Sequence, residues 1–432
     1  MSLRILLIGS GGREHALARA LRRSASCAAL YCAPGNPGIE SEATCVTLDV
    51  NDHGAVITWC RENTISLVVV GPEQPLAAGI ADSLRGAGLA VFGPSASAAR
   101  IETSKGFAKD LMQRAGVPTA AYRRFDGTQV DEAVAYVSTH STPVVIKADG
   151  LAAGKGVVIA EATADAEETV RDMFAGAFGS SGSSIVVESF LVGEEASLFA
   201  VCDGERYVAL APAQDHKRIG DCDTGKNTGG MGAYAPAPLV TPDVHAWACT
   251  HIIEPTLAAL RTAGSPFIGC LFAGLMVHED GTSSVVEFNC RFGDPETQSV
   301  MSVLDADVAA LFNSAAHGTL DVTTINRIAA QHACTVVMAS GGYPDSFTTG
   351  HPIHGLDTVH GENVIVYHAG TKRVGNDIFS SGGRVLGVTG LGSTLRAARD
   401  AAYAAVERIT FEREVHRSDI GAKGLRRLGE QP

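Results

Sequence analysis

The chain opens with a continuous apolar run at 3–8, and further apolar runs at 28–33, 67–70 and 89–92 alternate with helical spacing near 52–61 and 76–87. Strands apolar on both faces and separated by helices predict a doubly wound parallel sheet. Each run ends in a loop rich in Gly and Pro, at 34–38, 71–75 and 93–94, and such sheets bind ligands at the carboxyl ends of their strands. Residues 95–115 keep helical spacing. From Thr119 the pattern changes to short strands with helices near 131–139 and 163–175, which marks a new domain. Two β-branched apolar halves at 144–146 and 157–159 flank a glycine-rich tip, so the segment predicts a hairpin. Strands follow at 185–187, 268–277 and 283–289, the last two joined by a turn at 279–281. Near the C-terminus, strands are expected at 335–339, 364–368 and 384–389. A closing amphipathic helix carries apolar residues at 395, 398, 402, 406 and 409, with Ser393 as its N-cap.

Composition narrows the classes. With 432 residues and 45% hydrophobic content, the chain holds several domains. A net charge of −13 with scattered Lys and Arg gives no footprint for nucleic acid. No apolar run reaches membrane-spanning length, and ten dispersed cysteines without C-x-x-C or zinc spacing read as reduced thiols of a cytoplasmic protein. Small molecules are the expected partners.

Four stretches carry candidate chemistry. The turn after the first strand holds Gly11, Gly12, Arg13 and Glu14. It resembles a dinucleotide fingerprint, but Glu14 stands where Gly or Ala is needed for close helix packing, so a single phosphate of a phosphosugar fits better than NAD. Gly35, Asn36 and Glu73 lie in the neighbouring strand-end loops and join it as substrate-binding candidates. The tip at 147–156 presents Lys147 and Lys155 around Gly150, Gly154 and Gly156. It departs from a Walker A loop in spacing and in running into a strand, so it reads as a flexible flap over phosphates. Glu188 and Glu195, beside the extended segment at Phe190 and Leu191, are acceptors for ribose hydroxyls. The long polar stretch from Asp215 and Lys217 through Asn227, Thr228, Gly229 and Gly230 is of a kind uncommon unless functional. Finally, Glu287, Asn289 and Arg291 alternate along one strand and so share a face. In isolation that pattern is a structural ion pair and a cap. Next to a phosphate flap it offers hard oxygen ligands for Mg²⁺ and a fork for a carboxylate.

In order, the motifs K-G-F at 105–107, K-A-D-G-L-A-A-G-K-G at 147–156, G-E-E-A-S at 193–197, N-T-G-G-M-G-A-Y at 227–234 and E-F-N-C-R-F-G-D-P-E at 287–296 resemble the glycinamide ribonucleotide synthetase family of ATP-grasp ligases. G-S-G-G-R-E-H-A at 9–16 and H-A-G-T-K at 368–372 extend the resemblance over essentially the whole chain. It implies an α/β and α+β multidomain fold: a doubly wound domain at 1–100, a two-subdomain ATP-grasp core at 101–325 with a flap at about 120–190, and a mixed α/β domain at 326–432. The implied reaction joins glycine to 5-phosphoribosylamine at the expense of ATP, in purine biosynthesis. By motif position Lys105, Lys147, Gly150, Gly154, Lys155 and Gly156 would contact nucleotide phosphates. Glu188, Phe190, Leu191 and Glu195 would hold adenosine, and Glu287 and Asn289 would bind Mg²⁺ or Mn²⁺. Arg291 would engage the glycine carboxylate, Asp215, Lys217 and Asn227 to Gly230 would line the acceptor side, and Arg291, Lys155, Asp215 and Lys217 would form the catalytic set. A monomer is expected, a dimer being the alternative. Three departures stand out: Lys226 where the family has Pro, Ser189 where a second acid is common, and Ser10 for Asn.

Two rivals remain. Another ATP-grasp ligase would share the flap and metal strand without the 227–234 and 11–15 motifs. A non-catalytic nucleotide sensor would lack a flap lysine or a metal ligand.

Overall fold

The computed structural model describes residues 2–150, 156–177, 182–329 and 331–431. The N-terminal sheet is wholly parallel, in the order Thr44–Cys45, Cys27–Pro34, Leu3–Gly9, Leu67–Val70, Val91–Phe92. Ile5, Leu6 and Leu7 are fully buried because helices cover both faces, as the apolar runs predict. Leu3–Gly9 lies between strands that follow it in opposite directions, so the turn at its carboxyl end is the topological switch point.

Two helices expected to be continuous are broken. Instead of 76–87 there are Glu73–Ala77 and Ile80–Gly86, parted by Gly79 at φ +84. Residues 95–115 form Ala96–Thr103 and Lys105–Ala115, because Ser104 turns extended and its hydroxyl accepts from the Phe107 N–H at 3.1 Å. That cap places Lys105 at a helix start.

The flap is an antiparallel sheet in the order Tyr122–Asp126, Ser184–Ser189, Val144–Ala148, Val157–Ala160. Helices Val130–Thr139 and Thr163–Asp172 bury Val137 and Val170 against Phe125, Ile146 and Ile185. A second antiparallel sheet runs Tyr207–Ala209, Glu194–Asp203, Ile268–Val277, Ser283–Asn289. In its last pair Gly274 faces Glu287 but Leu275 faces Val285, so Val286 is an extra, bulged residue.

The C-terminal sheet does not stop at the C-terminal segment. It runs Gln214–Asp215, Gly232–Ala235, His332–Ser340, Arg384–Gly392, Val364–His368, with Glu414–Val415 also pairing to His332–Ser340. The stretch expected to line the acceptor side is thus stitched into this sheet through Gly232↔Val336 and Ala235↔Ala333. The closing helix Leu395–Val406 is capped by Thr394, whose hydroxyl accepts from the Ala397 N–H at 3.1 Å, and not by Ser393. All ten cysteines are free thiols.

Candidate active site

A cleft of about 1280 Å³ lies between the flap, the Ser283–Asn289 strand and the loops feeding the C-terminal sheet. At its flap end, the Lys105 ammonium donates to the Gly150 carbonyl at 3.0 Å. Asp149 accepts from the Gly106 N–H at 3.2 Å and from the Ser104 hydroxyl at 3.3 Å, anchoring the base of the flap tip to the N-terminus of helix Lys105–Ala115. Gly154 and Lys155 lie outside the described residues. Lys147 donates to the carbonyl of the bulged residue Val286 at 3.0 Å.

Glu188 sits deep in the flap-side wall of the cleft. It is 3% exposed, and its Oε2 takes Lys147 at 3.0 Å and Lys109 at 2.9 Å, while Oε1 has no partner among the described residues. Sequence reading passed over Lys109. Burial pushes its ammonium down to about 8, Glu188 opposing and Lys147 adding to the effect. The signal was present: Lys109 stands four residues after Lys105 and shares its helical face.

Phe190 and Leu191 line the same cleft, with Phe190 well exposed. Glu195 pairs with Lys217 at 2.5 Å, so the residue assigned to adenosine touches the one assigned to the acceptor. Asp215 and Lys217 line the cleft and His216 between them does not; His216 is buried against Tyr234, with Nδ1 3.3 Å from the Gly232 carbonyl. Burial raises the Asp215 carboxyl to about 7; Lys217 opposes this, and Glu296, Glu195 and Glu287 add to it. Burial also raises Glu296. Glu287 is buried too, but Lys217, Lys147, Lys105 and Arg291 together hold it below the usual carboxylate range.

Glu287, Asn289 and Arg291 all line this cleft. The Arg291 guanidinium is already engaged: Nε meets Glu73 at 3.2 Å, Nη2 meets Glu102 at 2.8 Å and Nη1 donates to the Phe292 carbonyl at 3.2 Å. Glu102 also accepts from the Cys290 N–H at 2.7 Å, which fixes the strand end. Sequence reading missed Glu102, three residues before the K-G-F motif, because nothing local marks its partner on a strand end 188 residues away.

The N-terminal turn carries a carboxylate of its own. Glu14 Oε2 accepts from the Gly11 N–H at 2.6 Å, and Glu14 Oε1 accepts from Arg13 Nε at 2.9 Å. Its carboxylate arm fills the space beside Gly9 and Gly71, where a Cβ would come within 2.4 and 2.3 Å of it. The Gly11 N–H expected for a phosphate is therefore occupied by the chain's own anion. Arg13 and Glu73 reach the cleft; Gly11, Gly12, Glu14, Gly35 and Asn36 are not in its wall. Asn36 is fully engaged, donating to the carbonyls of Ser10 at 2.8 Å and His368 at 2.9 Å and accepting from the N–H groups of Gly38 and Ile39.

Asn227, Thr228 and Gly229 line the opposite wall, while Gly230 turns away at φ +109 against Pro295. Lys226 points outward and pairs with Asp345 at 2.7 Å. Tyr343, Arg384, Lys423, Arg426 and Arg427 also line the cleft. They are scattered over the C-terminal region, outside any motif that reads as chemistry.

The donor set suits Mg²⁺. Among the described residues no three His, Cys, Asp or Glu side chains converge as a dedicated cage. What lines the cleft is one carboxylate and one amide from a single strand, Glu287 and Asn289, beside raised carboxyls short of countercharge at Asp215 and Glu296. Mg²⁺ takes one or two such protein oxygens and completes its shell with phosphates and water.

Family models described as the N, ATP-grasp (A) and C domains of phosphoribosylglycinamide synthetase match residues 3–102, 103–297 and 333–423. The phosphoribosylamine–glycine ligase of Rhizobium meliloti is 50% identical over 425 residues, covering 98% of this chain and 99% of the relative. That of Vibrio cholerae is 45% identical over 428 residues, 98% and 99% of the two chains. Among solved structures, the Thermotoga maritima phosphoribosylamine–glycine ligase has a TM-score of 0.82 at 29% identity, covering 97% of this chain and all of that one (100%). The biotin carboxylase domain of Hydrogenobacter thermophilus 2-oxoglutarate carboxylase, solved with MgADP and bicarbonate, has a TM-score of 0.73 at 17% identity, covering 96% and 92%, and shares the fold.

Proposed function

The chain belongs to the phosphoribosylglycinamide synthetase family, and we infer from that membership that its cleft is where ATP, glycine and 5-phosphoribosylamine meet. It is an ATP-dependent ligase of purine biosynthesis that yields glycinamide ribonucleotide, ADP and phosphate. The observation carrying the assignment of roles is that lysines from the flap side, Lys105 and Lys147, share one cleft with Glu287, Asn289 and Arg291 of the metal strand and with Asp215 and Lys217 of the acceptor side.

A carboxylate is a poor acyl donor. In the proposed sequence a glycine carboxylate oxygen attacks the γ-phosphorus of ATP, the bond to the β-phosphate oxygen breaks, and glycyl phosphate and ADP result. The amine of phosphoribosylamine then attacks the acyl carbon, phosphate leaves, and the nitrogen gives up a proton. Lys105 and Lys147 neutralise the triphosphate, with Lys155, Gly150, Gly154 and Gly156 as the covering flap. Glu188 and Glu195, with Phe190 and Leu191, hold adenosine; Glu188 Oε1, without a partner among the described residues, supports that end of the cleft as a site for a donor group. Arg291 holds the glycine carboxylate, in part by exchanging its bonds to Glu73 and Glu102. Asp215 is the carboxylate positioned to receive the amine proton, and Lys217 supports the departing phosphate. Arg13 and Glu73 line the phosphosugar side, backed by the Gly11, Gly12, Glu14, Gly35 and Asn36 turns behind them, with Asn227, Thr228 and Gly229 on the opposite wall and Gly230 setting the bend of that loop. Glu287 and Asn289 would hold Mg²⁺ or Mn²⁺, which supplies charge neutralisation on the transferring phosphoryl group. Such chemistry rests on positioning and electrostatics more than on a protein nucleophile.

The direct test is ADP release with freshly generated phosphoribosylamine, glycine and other amino acids in parallel. Glycine-dependent ADP formation is expected, and ADP release indifferent to glycine would refute the reading. Glu287→Ala should lose turnover while keeping a cooperative thermal transition; full activity in that variant would remove its metal role.

A further inference from the structure

The acceptor loop is fastened from the C-terminal domain at two adjacent peptide groups. Arg384, the first residue of strand Arg384–Gly392, donates through Nη1 to the Gly229 carbonyl at 2.5 Å and to the Asp294 carbonyl at 2.6 Å. Its Nη2 lies 3.5 Å from the Asp294 carboxylate. On the other side of the same residue, the Gly229 N–H donates to the Tyr343 hydroxyl at 2.9 Å. The fit is tight: a Cβ on Gly229 would stand 3.1 Å from Arg384 Cζ and 3.2 Å from Tyr343 Oη. Asp294 belongs to the turn that follows Arg291 and leads into Glu296, so Arg384 ties the acceptor loop to the donor-side strand. Both Arg384 and Tyr343 line the cleft.

We propose that Arg384, with Tyr343, is a positioning residue for the second half of the reaction, holding the acceptor loop at the distance from the Arg291 turn that lets the amine reach the acyl group before water does. The proposal rests on the glycyl phosphate sequence above. A planar guanidinium reaches two carbonyls and a carboxylate at once; an ammonium on the same stem does not reproduce that fork. If the loop shifts, glycine is still phosphorylated, but water attacks the acyl phosphate and returns glycine and phosphate, so ATP is consumed without product.

The readout is the ratio of glycinamide ribonucleotide to ADP, measured with KM values for each substrate. Arg384→Gln should keep glycine-dependent ADP release, form much less than one product per ADP, and raise the KM for phosphoribosylamine about tenfold with KM for ATP unchanged. Arg384→Lys should recover part of the coupling. Tyr343→Phe removes a single oxygen and should shift the ratio the same way to a smaller degree, which decides the matter should Arg384→Gln fail to fold. A ratio of one and an unaltered KM for phosphoribosylamine in a folded Arg384→Gln protein, or in Tyr343→Phe if that protein does not fold, would overturn the proposal. Wild-type ADP release that ignores glycine would instead refute the reading it rests on.

Discussion

Lys109 and Glu188 form a pair whose side chains are each 3% exposed, with Lys147 as a third member. Removing Lys109 leaves Glu188 with Lys147 as its remaining cation, so the loss is about 2 kcal/mol, below that for a buried charge left wholly unpaired. Lys109→Met is therefore expected to lower unfolding stability by that order in urea titration and to raise the KM for ATP more than that for glycine, because Glu188 loses its fixed orientation. Asp215 gives a pH prediction of opposite sense. Burial places its carboxyl at about 7 in the folded protein, against roughly 4 in the unfolded chain. The folded state therefore binds the extra proton between those values, and stability falls as pH rises through that window. Without added metal, Asp215→Asn should melt above wild type at pH 8, with the difference vanishing below about pH 4, while turnover drops at least about a hundredfold. A lower melting point at pH 8 would contradict the sign. At this scale the sequence was most legible where residue type and spacing coincide, as for Lys147, Glu287 and Asn289. It was least legible where a partner comes from another element: nothing local marks Glu102 as the acid that holds Arg291, or Arg384 as the cation that holds Gly229.

Element by element, apolar runs located the strands closely because burial on both faces dictates composition, and Ile268–Val277 and Ser283–Asn289 coincide with the expected ranges. Helix continuity was harder to read. Hydrophobic spacing runs unbroken through 95–115, yet a serine hydroxyl at position 104 satisfies the next turn's N–H and restarts the helix. The bulge at Val286 left no trace in the alternation, since Val285 and Val286 are both apolar, though it supplies the carbonyl that seats Lys147. The closing helix offers a clean test of capping. Thr394→Ala should cost about 1 kcal/mol in thermal unfolding, and Ser393→Ala should change stability by a few tenths at most. The reverse order would mean that the cap is set by something other than the hydroxyl at Thr394.

For the whole molecule, the continuous sheet joining Gly232–Ala235 to His332–Ser340 makes the polar stretch at 214–235 and the C-terminal segment one packed unit. Met231, Val337 and Ala339 share a small core, and Tyr234 is buried with Cys334 and Val336. A chain ending at residue 325 would leave Gly232–Ala235 without its main partner strand and expose that core. It is expected to lose near-ultraviolet dichroism at its tyrosines and to aggregate, and a soluble, cooperatively folded truncation would argue that the sheet is dispensable. Long-range pairing of this kind lies beyond periodicity, because an alternating strand does not announce which strand it meets.

Glu14 deserves a last consequence. Its carboxylate occupies the anion hole at the switch point of a sheet otherwise suited to a pyrophosphate. A dinucleotide brought to this turn would meet a carboxylate where its pyrophosphate needs an N–H, an electrostatic bar built from the chain's own side chain.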